Sequence, residues 1–187
     1  MSTALIIVLV VLSVIIIYFV MVYNGLINLR QNTQKAWSNI DVLLKQRHDE
    51  IPKLVEVCRQ FREFEQATLE KVTQARNQAV QARSNHQLGA LAGAEAMLSS
   101  GLGQIFATVE AYPELKTHEQ FSNLQMRISA LENAISDRRE FYNDSVHLLN
   151  VKIQEFPDVL LARLCNFQET EFLRISKAET ADINIKE

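Results

Sequence analysis

The sequence predicts an all-α protein, with a single N-terminal transmembrane helix followed by an antiparallel four-helix bundle of long helices. Three observations lead there. The first 29 residues carry no Asp, Glu, Lys or Arg. Apolar residues then recur at helical spacing along most of the chain. Only 5 Gly and 3 Pro occur in 187 residues, which leaves little material for turns and implies few, long elements. After residue 23 no run alternates β-branched and polar residues, so strands are not expected.

Residues 4–22, ALIIVLVVLSVIIIYFVMV, contain one Ser and one Tyr among apolar side chains. As a helix they rise about 28 Å, close to the hydrocarbon thickness of a bilayer. Tyr18 and Tyr23 lie near the end of this stretch, where aromatic rings favour the headgroup level. A cleaved signal would have a basic start, a shorter apolar core and a small-residue cleavage site. The chain begins Met-Ser-Thr and continues YNGLINLR after the apolar run, so an uncleaved anchor is expected. Arg30 and Lys35 supply a positive flank, which predicts a short N-terminus outside and the body in the cytoplasm.

The element from about residue 24 to 86 carries a stripe of Leu29, Ala36, Ile40, Leu43, Ile51, Leu54, Cys58 and Phe61. Phe64, Val72, Ala75, Ala79 and Ala82 continue it. Pro52 lacks an N–H and crowds the preceding turn, so it is expected to kink or divide this element. Residues 85–95, with Gly89 and Gly93, form the clearest break. A shorter helix follows, with Met97, Leu98, Gly101, Leu102, Ile105, Phe106, Val109 and Tyr112 on one face. Gly101 and Gly103 cost helix propensity there and imply close approach of a neighbour. Pro113 ends that helix.

Phe121, Ile128, Ile135, Tyr142, Leu149 and Phe156 then recur every seven residues, with Leu124 and Leu131 between them. The intervening positions become Arg138, Ser145 and Lys152 in the second half. Val146 and Ile153 take over, the drift of an ordinary bundle helix. In residues 156–173, Pro157 and Asp158 suit a helix start, and Val159, Leu160, Leu161, Leu164, Cys165 and Phe167 make an apolar run. That run is expected either to dock at the membrane-proximal end, on the first helix or the headgroups, or to cap the bundle's own core. Residues 177–187 read as a flexible polar tail. The organisation is thus an anchor over 1–23, a bundle over 24–176 and the tail.

A net charge of −3 exerts no pull toward nucleic acid, which is not an expected partner. Cys58 and Cys165 have apolar neighbours and read as buried or half-buried thiols, with no disulfide framework and no nucleophile motif. His48, His86, His118 and His147 do not form an H-E-x-x-H pair, and Pro113 spoils a shared face for Glu114 and His118. The Gly-rich stretches lack the strand and Gly-Lys-Ser/Thr of a phosphate loop. The sequence therefore nominates no catalytic, cofactor-binding or metal-ligating residue and no cofactor. Residues 45–50, KQRHDE, read either as a solvated face with an ion pair such as Lys45 to Asp49, or as a contact patch. Trp37 reads either as a core aromatic or as an interface anchor.

Residues 23–58, 102–125 and 132–162 together resemble the LemA family. The most specific pieces are Ala36-Trp37-Ser38-Asn39-Ile40-Asp41-Val42, Arg47-His48-Asp49 with Ile51-Pro52, residues 110–116 (EAYPELK), and Tyr142-Asn143. Gln46-Arg47 stands where the family pattern has a basic pair, and Glu50 where it has Leu. The resemblance implies a helical bundle behind an N-terminal span in the bacterial inner membrane, with the bundle on the cytoplasmic side. It also implies relatives connected with making membrane compartments.

Two functions are compatible with these readings. One is a non-enzymatic membrane-anchored scaffold that contacts the lipid bilayer through residues 4–22. It would form a homo-oligomer through spare apolar surface, with Gly25 near the membrane end, and possess other membrane proteins as partners. The alternative is a sensor or enzyme with a ligand site between bundle helices, lined by polar residues such as Arg138, Asn143 and Asp144.

Overall fold

A computed structural model describes residues 3–61 and 64–174, and every regular element among them is helical. The elements are α1 (Thr3–Arg59), α2 (Gln66–Ser84), α3 (Leu88–Val109), α4 (Pro113–Lys116), α5 (Glu119–Gln154) and α6 (Asp158–Leu164). Two compact units form. One holds the chain up to Ser38 together with Glu140–Glu171, and the other holds Asn39–Arg139. The tail expected over 177–187 lies outside the described residues.

The unit built on Asn39–Arg139 is the four-helix bundle. Its core takes Ile51, Leu54, Val55, Val57 and Cys58 from α1; Leu69, Val72 and Ala75 from α2; Leu98, Leu102, Ile105 and Val109 from α3; and Phe121, Leu124 and Ile128 from α5. Leu115 of α4 closes one end, and Phe106 meets Phe121 edge-on at 6.5 Å. Gly101 sits against α2 as its composition implied: a Cβ there would lie 2.6 Å from Val72 Cγ2. Gly103 has open space around it, so close packing explains only the first of the pair. Met97, assigned to the buried face, is exposed.

The break between α2 and α3 is tighter than expected. Gly89 and Gly93 lie inside α3. The turn is made at His86, whose φ of 55° reverses the chain. His86 N donates to Arg83 O and Gln87 N to Ala82 O, the paired bonds that satisfy a helix end. Pro113 behaves as expected: Tyr112, at φ −120° and ψ 87°, has left the helical region before it, and α4 begins at the proline.

Pro52 neither divides the first element nor marks its end. α1 runs through it to Arg59, and the interruption comes before α2 at Gln66. The reason is a hydrogen bond from the next helix. A proline at position 52 leaves the carbonyl four residues earlier without its helical donor. That carbonyl is His48 O, and Arg76 Nε of α2 donates to it at 3.2 Å. A side chain from the neighbouring helix supplies the missing hydrogen bond.

The other unit packs the early part of α1 against the C-terminal half of α5 and α6. Leu26, Leu149, Ile153 and Ala162 form its centre, with Val22, Leu29 and Phe167 around them. The drift along α5 is as anticipated: Tyr142, Val146, Leu149 and Ile153 are buried. Phe156 departs from it and is exposed, because α5 has ended at Gln154 and no longer sets its direction. Thr33 Oγ1 donates to Ser145 O at 3.2 Å. After α6 the chain turns at Asn166, also at φ 55°, and runs back along α5. Asn150 holds it there by donating to Thr170 O and accepting from Thr170 N, both at 2.9 Å. Pro157 caps α6 rather than opening its first turn.

The Pro52–Arg76 relation is testable by a double-mutant cycle on thermal unfolding of the detergent-solubilised protein. Arg76→Met should cost about 1–3 kcal/mol, the range for orphaning a carbonyl inside the fold. In a Pro52→Ala background, where residue 52 regains its N–H, the same change should cost much less. Equal costs in both backgrounds would show that Arg76 does not act through this carbonyl.

Candidate functional site

Residues 45–50 are neither a solvated face nor a contact patch as a whole. Lys45, Gln46 and Asp49 point outward, but Arg47, His48 and Glu50 are buried. Helical spacing explains the division, since 47, 51 and 54 share the inward side with Leu44 and Cys58. Sequence reasoning missed this because the partners come from far along the chain.

Arg47 is only 3 % exposed. Its guanidinium pairs with Glu95 of α3 and Glu132 of α5, the latter at 3.2 Å, and donates weakly to Ser99 Oγ at 3.4 Å. Burial works against its charge, and Glu132 offsets part of that cost. Glu95 also accepts from His48 Nε2 at 2.7 Å. Burial first, and then the positive charges of Arg47, Arg83 and Arg76, hold the His48 pKa down to about 4, with Asp49 opposing them. His48 is therefore neutral at pH 7 and acts as a donor to the carboxylate, while its Nδ1 has no partner among the described residues. Glu50, on the far side, pairs with Arg127 of α5 at 2.6 Å and Lys53 at 3.3 Å.

Above this cluster lies a half-open groove of about 890 Å³. Arg47, Glu95 and Glu132 form its floor, and Lys71, Gln78, Gln104 and Arg139 contribute to its walls. The groove carries three cations against two carboxylates among these residues, with apolar side chains such as Met97 and Ile135 also in its lining. The residues nominated to line an internal site lie elsewhere: Arg138 and Asp144 are exposed and Asn143 is half-buried. Their place in the weakened half of the α5 seam had suggested interior polarity, but the seam turned away from them.

The remaining singled-out residues have structural surroundings. Trp37 is half-buried with its ring 5.7 Å from that of Tyr142, whose hydroxyl donates to Glu171 O at 3.0 Å. His118 meets the edge of Phe61 at 5.9 Å. Cys58 is fully buried, and burial pushes its thiol up to about 12, so it is no nucleophile. Cys165 is exposed at the end of α6, contrary to expectation, because the apolar run around it has only one covered side. Among the described residues no group of three or more His, Cys, Asp and Glu is gathered.

The chain matches the LemA family over residues 36–186. It is 24% identical to magnetosome protein MamQ 2 of Paramagnetospirillum magneticum, over 88% of this chain and 70% of the relative. It is 23% identical to magnetosome protein MamQ of Magnetospirillum gryphiswaldense, over 80% and 64%. Protein LemA of Metamycoplasma hominis is 26% identical over 95% of this chain and 81% of its own length.

The neutral state of His48 predicts a pH response. Between its ordinary value of 6.5 and about 4, the unfolded chain binds the proton and the folded one does not. Stability should therefore fall as pH drops through that window, by on the order of 3 kcal/mol from this group. His48→Gln, which keeps a donor for Glu95, should flatten the decline in unfolding temperature between those pH values. An unchanged decline would assign it to other groups.

Proposed function

The chain belongs to the LemA family, and from that premise we propose that it is a non-enzymatic, self-associating scaffold of the bacterial inner membrane. Residues 1–23 are the anchor and residues 24–176 the helical body. The observation that carries the reading is the surface of the molecule. From Leu5 to Met21 the large apolar side chains of α1 are all exposed, which demands an apolar medium around them. Beyond that stretch, Phe141, Leu148 and Val151 stand exposed along α5. They face away from Val146 and Leu149 and offer a second copy an apolar stripe. The magnetosome relatives support a role at membranes.

Native mass measurement on the detergent-solubilised full chain should find a homo-oligomer that Phe141→Ser with Leu148→Ser reduces to monomer. Monomer alone across a concentration series would overturn self-association. The groove over Arg47 favours a second reading, a sensor or enzyme with a ligand between helices. A reproducible mass excess over the polypeptide, lost on unfolding, would support that reading instead.

The positive flank of Arg30 and Lys35 supports a cytoplasmic side for the body. A reporter fused after Glu187 should accordingly be active only if it works in the cytoplasm. Activity of a periplasm-only reporter there would reverse the orientation.

A further inference from the structure

We propose that the outer face of α6 is a second membrane contact, lying in the lipid headgroup–acyl boundary beside the emerging end of the α1 span. This rests on α1 being a span. Leu160 and Leu164 lie four apart on one face of α6 and are 62% and 76% exposed, and Phe156, in the turn just before the helix, is 78% exposed. The opposite side of α6 is covered: Leu161 and Ala162 are buried, and Ala162 packs with Leu26 of α1.

The occupant follows from where α6 is held. Tyr18, inside the apolar stretch of α1, donates from its hydroxyl to Asp158 Oδ1 at 3.1 Å. Phe167, just past α6, meets the edge of Tyr23 at 6.3 Å. The segment therefore lies alongside residues 18–23, the level at which the lipid-exposed surface of the span ends. Its apolar stripe continues that surface sideways. Asp158, which could not enter hydrocarbon alone, is turned inward and paired with Lys152 Nζ at 2.6 Å. Arg163 is the exposed charge at the end of the helix, suited to a phosphate headgroup. Seven residues are too few to fold on a lipid surface by themselves. Here α1 and α5 hold the helix ready.

Cys165 provides the probe. It is exposed, whereas Cys58 is fully buried, so a thiol-reactive environment-sensitive dye labels Cys165 in the native sequence. The labelled full chain is placed in vesicles of phosphatidylcholine and phosphatidylglycerol. The expected result is blue-shifted emission, quenching by a spin label at the headgroup–acyl boundary, and protection from aqueous iodide. Leu160→Glu with Leu164→Glu should abolish all three while the unfolding temperature stays within a few degrees. Iodide quenching with no lipid quenching overturns the proposal. Protection from both quenchers also overturns it, since a second copy then covers the face. If the chain washes off the vesicles, the span itself has failed, and the surface proposal falls with it.

Discussion

The bundle depends on one buried charge. Arg47 has almost no contact with solvent, and a guanidinium cannot be neutralised by giving up its proton at physiological pH. It must be met by carboxylates, and these come from two other helices, Glu95 of α3 and Glu132 of α5. The hydrophobic core tolerates sliding of one apolar ridge over another better than this triad does. A helical slip of one turn would strand an uncompensated charge, at a cost of several kcal/mol. The ion pairs thereby set register, while burial of the core residues supplies the drive to collapse.

His48 refines the same arrangement. It spends its one imidazole proton on Glu95 and contributes no charge, which leaves the carboxylate to balance Arg47. On the other side of α1, Glu50 reaches Arg127 of α5. About one turn of α1, carrying Arg47, His48 and Glu50, thus ties the helix to its neighbours. Where the family pattern has Leu, Glu50 exchanges packing for an ion pair with α5.

Much of the fold was legible in residue spacing. Most positions of the stripes on α1, α2, α3 and the first half of α5 are buried where periodicity placed them, Met97 being the exposed exception, because helical phase converts directly into a face. The turn at Tyr112–Pro113 was equally readable, since proline acts on its own neighbour. Failures came where the deciding partner was remote. Nothing near Arg47 announces Glu95 or Glu132, so a charged run looked like surface. Pro52 looked like a breaker because Arg76, its remedy, lies in another helix. Gly89 and Gly93 looked like a turn, whereas the reversal fell on His86, a residue whose type gives no such signal. Cys165 looked buried or half-buried, and the run around Leu160 and Leu164 stayed open between core and membrane, because apolar character says that a side chain avoids water, not what takes water's place.

The bond from Arg76 to the His48 carbonyl carries a consequence for how the chain comes together. Its two ends are 28 residues apart, with α1's end and the start of α2 between them. As the polypeptide leaves the ribosome, α1 emerges first and contains a gap that no residue of its own can close. Until α2 has been synthesised and folded back, water is the donor left for that carbonyl. A long apolar helix that completed itself early would present a finished sticky surface to every neighbour in a crowded cell. In this one, the hydrogen bond missing at Pro52 comes only from its hairpin partner, so closing that gap and docking α2 are a single event.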